Sequence, residues 1–237
     1  MPEPLVAAMI AAVAAAVGGL VAPWSIARLP EPATDAAVTV PSARRKIPYA
    51  ELAARPHLPA ALAAVCAVLA SALGWRLGLD PALPLWIGFI VLGVVLSSID
   101  WHTHLLPKRL VLPAYPVALL LAGVVALAEG SADVLVRVAV GWAAVSGVYA
   151  LLWFVAPRGI GYGDVRLSGL IAIALATLGW AELIVGAYAG FVLGAVGGVA
   201  LAVAGLVDRL AFPFGPFMVL GAWSGAMWGG ALLGTWG

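Results

Sequence analysis

The segment Gly159-Ile160-Gly161-Tyr162-Gly163-Asp164-Val165-Arg166-Leu167 is a glycine-rich turn that ends in a carboxylate and lies between two long apolar segments. A charged group in such a setting is costly, and is by default a candidate functional group. Two interpretations fit the segment alone. It could be one half of a two-aspartate hydrolytic site, or the Gly-Tyr-Gly-Asp of a potassium selectivity filter.

The composition indicates a membrane protein. Of the 237 residues, 64% are hydrophobic and only 10% are charged, which does not suit a soluble globule with a polar surface. The net charge of +1 and the lack of long basic runs argue against nucleic acid as a partner. Cys66 is the only cysteine, so one chain can build neither a disulfide framework nor a thiolate zinc site.

The apolar runs predict an all-α, polytopic membrane helix bundle of about eight transmembrane helices, forming a single membrane-embedded domain over residues 1–237. The runs lie at about 5–23, 58–75, 83–99, 110–128, 134–156, 165–180, 182–207 and 216–236. The sixth run is the doubtful one, since about 16 helical residues reach only ~24 Å across a hydrocarbon core of ~30 Å. A loop at about 24–57, rich in Pro, Ala and charge, is expected to be a linker or a small appendage.

Small residues recur at four-residue spacing in the last two runs, which predicts close packing of helix backbones. The residues concerned are Gly186, Gly190, Gly194, Gly221, Gly225 and Gly229.

The basic residues predict the orientation. If both termini are outside, ten of the twelve Lys and Arg residues fall on the cytoplasmic side, as basic loops usually do. These ten are Arg28, Arg44, Arg45, Lys46, Arg55, Lys108, Arg109, Arg158, Arg166 and Arg209. Arg76 and Arg137 fall outside, and the long side chain of Arg137 is expected to extend to the outer surface.

This topology brings two acids to the same cytoplasmic boundary, because Asp100 ends the third apolar run and Asp164 begins the sixth. Two carboxyl groups beside one water can hydrolyse a peptide, one as general base and the other as general acid. A helix start favours an anion and a helix end disfavours it. On that ground Asp164 is expected to be the initial base and Asp100 the initial acid.

The glycines of the turn suit such a site. Gly159, Gly161 and Gly163 are expected to adopt positive φ and to let the backbone approach a substrate, while free N–H groups at the helix start could stabilise an oxyanion. Tyr162 and Arg166 are further candidates for substrate binding or loop support.

The motifs resemble those of a known family. Asp100 followed by Leu106-Pro107, and then residues 161–167, resemble the paired signature of prepilin peptidases, the type IV leader peptidase family of membrane aspartic proteases. Two weaker matches flank them, Arg28-Leu29-Pro30 after the first run and Pro213-Phe214-Gly215-Pro216-Phe217 before the last. The resemblance extends in order over nearly the whole chain.

The resemblance implies a multi-pass enzyme of the inner or plasma membrane, with Asp100 and Asp164 as catalytic residues facing the cytoplasm. Its substrates would be prepilins or pseudopilins, whose basic leader peptides it removes. Arg166 departs from the family, which usually has lysine there, and the 24–57 loop lacks the two Cys-x-x-Cys pairs of many members. The resemblance implies that this short form needs no cofactor for peptidase activity. S-adenosylmethionine would serve only if N-methylation is retained.

Three alternatives involve other chemistry. The filter interpretation lacks the Thr-Val that precedes the filter motif, and lacks a pore helix. A metal-dependent hydrolase could use Asp100, His102, His104 and Asp164 as ligands. A transporter or channel would use buried acids as ion relays, although neither acid is expected at the bilayer midplane. The sequence leaves the oligomeric state, the particular pilin and the roles of the two histidines open.

Overall fold

The computed structural model describes residues 1–31, 47–156, 160–205 and 212–234. Within these ranges the secondary structure consists of nine helices and no strand, which confirms the predicted all-α fold. The helices are α1 (Glu3–Ala27), α2 (Tyr49–Ala53), α3 (Leu58–Leu77), α4 (Leu83–Thr103), α5 (Lys108–Glu129), α6 (Asp133–Val155), α7 (Tyr162–Leu178), α8 (Trp180–Val203) and α9 (Gly215–Leu233). Several residues used in the sequence argument lie outside the described ranges: Arg44, Arg45, Lys46, Arg158, Gly159 and Arg209.

Seven of the described helices are long and apolar enough to cross a bilayer, namely α1, α3, α4, α5, α6, α8 and α9. The chain is therefore a multi-pass membrane protein. The exception among the predicted spans is α7, which has 17 residues and corresponds to the doubtful sixth run. At 1.5 Å per residue it measures about 26 Å, just short of a hydrocarbon core of about 30 Å.

The short helix α7 lies at the centre of the bundle. Every residue from Leu167 to Thr177 is buried, and the helix contacts α4, α5, α6, α8 and α9. Protein rather than lipid surrounds α7, so its length need not match the hydrocarbon thickness. The helix that begins with the glycine-rich turn is thus the core around which the others pack.

An arginine of α6 caps the end of α7. Arg137 donates from Nε to the carbonyl of Ala176 at 2.5 Å and from Nη2 to the carbonyl of Thr177 at 3.4 Å. The guanidinium thus reaches the C-terminal end of α7, which lies toward the outer side in the predicted orientation. Because the last carbonyls of a helix lack partners within it, a buried helix end attracts a cationic donor.

Helices α8 and α9 form a tightly packed hairpin. Gly221 lies against the backbone of Gly190, and Gly225 lies against the backbone of Gly186, at distances that leave no room for a Cβ. Gly229 likewise lies against Glu182. The predicted close packing at the glycine repeats is confirmed, because these contacts join the two glycine-bearing faces.

The loop predicted at about 24–57 begins later than expected, since α1 continues to Ala27. Its described C-terminal part contains the short helix α2, whose Tyr49 and Leu52 are buried. Contacts of α2 with α1 and α4 place this segment over the end of α4 that carries Asp100.

Candidate active site

Asp100 lies in the last turn of α4 and is 5% exposed. Its Oδ2 accepts a hydrogen bond of 2.9 Å from the main-chain N–H of Gly215, the first residue of α9. The end of α4 is closed by His104, which has a left-handed conformation with φ of 53° and donates its N–H to the carbonyl of Asp100. Asp100 is therefore held between the end of one helix and the start of another.

Asp164 is the third residue of α7 and is 8% exposed. Its Oδ2 accepts a hydrogen bond of 2.9 Å from the main-chain N–H of Gly161, which precedes the helix. This is the carboxylate half of a capping box, a common means of satisfying a free donor at a helix start. The same contact holds the carboxyl group at the beginning of the central helix.

The two acids lie at the same end of the bundle, where α4 and α7 contact each other. Their carboxyl groups are close enough to interact electrostatically. Each acid accepts one main-chain N–H at a helix start, Asp100 from α9 and Asp164 from α7. The start of α9 offsets part of the unfavourable effect that the end of α4 has on a negative charge at Asp100, and the assignment of Asp164 as initial base and Asp100 as initial acid stays a prediction.

The glycines of the turn are required for close approach rather than for unusual backbone angles. Gly161 has φ of −76°, and neither it nor Gly163 has positive φ, so that expectation was wrong. A Cβ on Gly163 would lie 2.8 Å from the Cβ of Leu106, which follows α4. Glycine at 163 thus lets the segment that carries Asp164 pack directly on the segment that follows Asp100.

Tyr162 and Arg166 form a cluster with Trp153 at the same edge. The guanidinium carbon of Arg166 lies 4.4 Å from the centre of the Tyr162 ring. The centres of the Trp153 and Tyr162 rings are 5.1 Å apart. Tyr162 is 49% exposed. An exposed aromatic residue stacked with a cation suits the boundary between lipid and water.

The histidines and the acids do not form one ligand set in the described part of the chain. His102 contacts Ser98 O through Nδ1 at 2.7 Å and the Arg55 guanidinium through Nε2 at 2.8 Å. Since a carbonyl only accepts, Nδ1 carries the hydrogen and Nε2 accepts from Arg55. Across the described ranges, no three His, Cys, Asp or Glu side chains converge as metal ligands would. The alternative ligand set of Asp100, His102, His104 and Asp164 is therefore not assembled.

A tyrosine of α2 covers the end of α4. The Tyr49 hydroxyl lies within hydrogen-bonding reach of Thr103, three residues after Asp100. Burial, with a smaller contribution from the Glu31 carboxylate, raises the pKa of the Tyr49 hydroxyl, while the Thr103 contact lowers it. The hydroxyl therefore stays protonated near neutral pH and is available as a donor.

Comparison with known proteins identifies the family. A sequence profile described as the type IV leader peptidase family matches residues 86–199, which include both acids. Over these residues, the chain matches the type IV leader peptidase family. The family predicted from the two aspartate motifs is confirmed.

Two curated members of the leader peptidase family are similar to the chain. The prepilin leader peptidase/N-methyltransferase of Pseudomonas putida is 31% identical over 166 residues, 69% of this chain and 56% of the relative. The protein of the same name from Stutzerimonas stutzeri is 34% identical over 140 residues, 57% of this chain and 46% of the relative. The chain thus spans about half the length of the curated relatives it matches. No solved structure shows a significant match.

Three residues at this candidate site were not predicted from sequence. Gly215 donates to Asp100, and Tyr115 of α5 donates its hydroxyl to the carbonyl of Arg166 at 2.6 Å. Tyr149 of α6 is 3% exposed, stacks on Phe191 at 4.7 Å and interacts electrostatically with Asp164. The motif at residues 213–217 contains Gly215, but it does not indicate that Gly215 contacts Asp100. No sequence motif around Tyr115 or Tyr149 indicates that these residues lie at the site.

Proposed function

We propose that the chain is a membrane aspartic endopeptidase that removes the basic leader peptide from type IV prepilins or pseudopilins at the cytoplasmic membrane face. The observation that carries the proposal is the pair Asp100 and Asp164, both buried, at one end of the bundle and close enough to interact electrostatically. The match to the leader peptidase family supports the choice of substrate.

The pair can hydrolyse a peptide by sharing one proton. The ionised carboxylate takes a proton from water, whose oxygen attacks the scissile carbonyl, while the protonated partner donates a hydrogen bond to the carbonyl oxygen. As the C–N bond breaks, the protonated carboxyl group gives its proton to the leaving amine. Two neighbouring carboxyl groups resist being ionised together, so the shared proton belongs to the pair rather than to either residue.

The distribution of basic residues supports a site that faces the cytoplasm. Arg55 contacts His102 beside the acids, and Lys108 and Arg109 begin α5 directly after α4. At the opposite end of the bundle, Arg76 pairs with Glu182 in the first turn of α8 at 3.1 Å. Because basic residues are retained in the cytoplasm, the end that carries the acids is the cytoplasmic one, and both termini lie outside.

A cleavage assay tests the catalytic pair. The purified protein and its Asp100→Asn and Asp164→Asn variants are incubated with a prepilin, and the products are weighed by mass spectrometry. Each substitution is expected to lower the rate by roughly 10²- to 10⁴-fold, the usual contribution of a general acid or base. The control is Asp133→Asn, the same chemical change at an exposed residue of α6. Cleavage by either site variant at the parent rate would contradict the proposal.

The same assay decides whether a methyl group is transferred. We propose that cleavage needs no cofactor and that S-adenosylmethionine is used only if the chain also methylates the new N-terminus. Products are therefore weighed with and without S-adenosylmethionine. Cleavage in both reactions, with or without an added methyl group, supports a cofactor-independent peptidase, whereas cleavage only with the cofactor contradicts it.

A labelling experiment tests the orientation. A cysteine that replaces the exposed Lys108 at the start of α5 should react with a membrane-impermeant reagent in inverted vesicles and not in intact spheroplasts. The native Cys66 is buried and serves as the unlabelled background. Labelling in spheroplasts alone would reverse the proposed orientation.

A further inference from the structure

The start of α9 is directed at Asp100. Gly215 is the first residue of α9, and its N–H donates to the Asp100 Oδ2 at 2.9 Å in a buried contact. An N–H at the first position of a helix has no acceptor within that helix, so the donor is free for an outside partner. The positive end of the helix also favours a negative charge at this position.

Glycine at position 215 leaves just enough space for the carboxyl group. A Cβ built on Gly215 would lie 2.9 Å from the Asp100 Oδ2 and 3.4 Å from its Cγ. Any larger residue would therefore displace the carboxyl group or the start of α9. The following residue, Pro216, is suited to a helix start because it needs no N–H partner there.

The position of this donor is set by the packing of the α8–α9 hairpin. Gly221 and Gly225 hold α9 directly against the backbone of α8. The ring of Phe214, immediately before the donor, fits against Gly194 of α8 and lies 6.3 Å from the Tyr149 ring. The packing of α9 on α8 and the packing of the Phe214 ring together fix the Gly215 N–H. A donor fixed in this way can hold the Asp100 carboxyl group in one orientation.

We propose that Gly215 is a positioning residue of the catalytic pair, acting through its main-chain N–H on the Asp100 carboxyl group. With one oxygen of Asp100 held by Gly215, its other oxygen is left for the water and the shared proton. Asp164 is arranged in the same way, since Gly161 holds one of its oxygens. The site is thus built from three parts, α4, α7 and the α8–α9 hairpin. The catalytic consequence rests on the proposed peptidase function, whereas the contact itself does not.

The test combines infrared spectroscopy with kinetics. Carboxyl bands of Asp100 are identified by their loss in Asp100→Asn, and are then measured in Gly215→Ala and in a protein whose residue-215 amide is replaced by an ester. The ester removes the N–H without adding a side chain, and breaks no bond within α9. The control is Gly88→Ala in α4, where a Cβ would meet no atom within 4 Å.

We expect the Asp100 bands to shift in both position-215 variants and to stay unchanged in Gly88→Ala. With a prepilin substrate, kcat is expected to fall on the order of 10- to 100-fold with little change in KM, as for loss of a hydrogen bond to a charged group. If Gly215→Ala does not fold, the ester variant decides. A folded ester variant with parental Asp100 bands, or with parental kcat, would overturn the proposal. If the parent protein cleaves no prepilin but the Asp100 bands shift in the position-215 variants, the proposed function is refuted and the contact between Gly215 and Asp100 is established.

Discussion

The hydroxyl of Tyr115 donates a hydrogen bond of 2.6 Å to the main-chain carbonyl of Arg166, two residues after Asp164. This bond ties the middle of α5 to the first turns of α7. The same hydroxyl lies beside Gly169, one turn further along, together with Ser146 and Trp142 of α6. The position of Asp164 in the bundle therefore depends on a polar contact between α5 and α7, two helices that are not consecutive in the chain.

Replacing Tyr115 by Phe should loosen the start of α7. Loss of this part-buried hydrogen bond is expected to lower the free energy of unfolding by about 1 kcal/mol. The cleavage rate should fall as well, because the carboxyl group of Asp164 would be less precisely placed. Thermal unfolding in detergent and the prepilin assay measure the two effects. Tyr188→Phe is the matched control, since that tyrosine is 70% exposed on α8. Equal behaviour of the two variants would contradict the role of Tyr115.

Alanine at position 169 should be poorly tolerated. A Cβ on Gly169 would lie 2.7 Å from the Ser146 Oγ and 2.8 Å from the Trp142 Nε1, and would also clash with the Tyr115 hydroxyl. Overpacking of this kind is expected to cost about 1–3 kcal/mol of stability. At Gly147 a Cβ would meet nothing within 4 Å. Gly147→Ala should therefore be neutral or stabilising by up to about 1 kcal/mol. Thermal unfolding of both variants checks the contrast, and similar loss of stability in the two would contradict the packing argument.

Arg137→Met should destabilise the end of α7. The substitution keeps an apolar stem but removes the donors to the carbonyls of Ala176 and Thr177. Loss of a charged donor is expected to cost about 1.5–3 kcal/mol, measured by thermal unfolding. Arg109→Met, at an exposed residue of α5, should have a much smaller effect. Equally mild effects of the two substitutions would contradict the role of Arg137 as a cap of α7.

The left-handed conformation of His104 predicts an order of stability among its variants. At φ of 53°, glycine is favoured and a β-branched residue is strained. Gly at this position should therefore give a more stable protein than Val, by about 1–2 kcal/mol. Equal stability of the two in thermal unfolding would contradict the strain argument.

The histidines also distinguish the aspartic pair from the metal alternative. His102→Gln and His104→Gly should both cleave prepilin at a rate near that of the parent, and chelator should have no effect. This is expected because the described histidines and acids do not converge as a ligand set. Loss of cleavage in both variants, together with chelator inhibition reversed by added metal, would favour the metal-dependent hydrolase.

Hydropathy alone predicted the class of fold and the approximate bounds of the long helices, and it brought the two candidate acids to one end of the bundle. A run predicted at 58–75 is α3 at Leu58–Leu77, and a run predicted at 134–156 is α6 at Asp133–Val155. Agreement is this close because hydrocarbon requires every spanning segment to be apolar, long and helical, a constraint that acts on each segment separately. The same reasoning identified α7 as the span of uncertain length.

The groups that hold the acids are apparent only from the packing of the helices against one another. Gly215 and Asp100 are separated by 115 residues, and Tyr115 and Arg166 by 51, so no local pattern records either contact. Positive φ was the wrong reason to expect glycine at Gly161 and Gly163, and the close approach of Gly163 to Leu106 depends on a neighbouring segment. Hydropathy determines which residues enter the membrane, whereas ångström-scale packing between helices determines the partner that each buried polar group finds there.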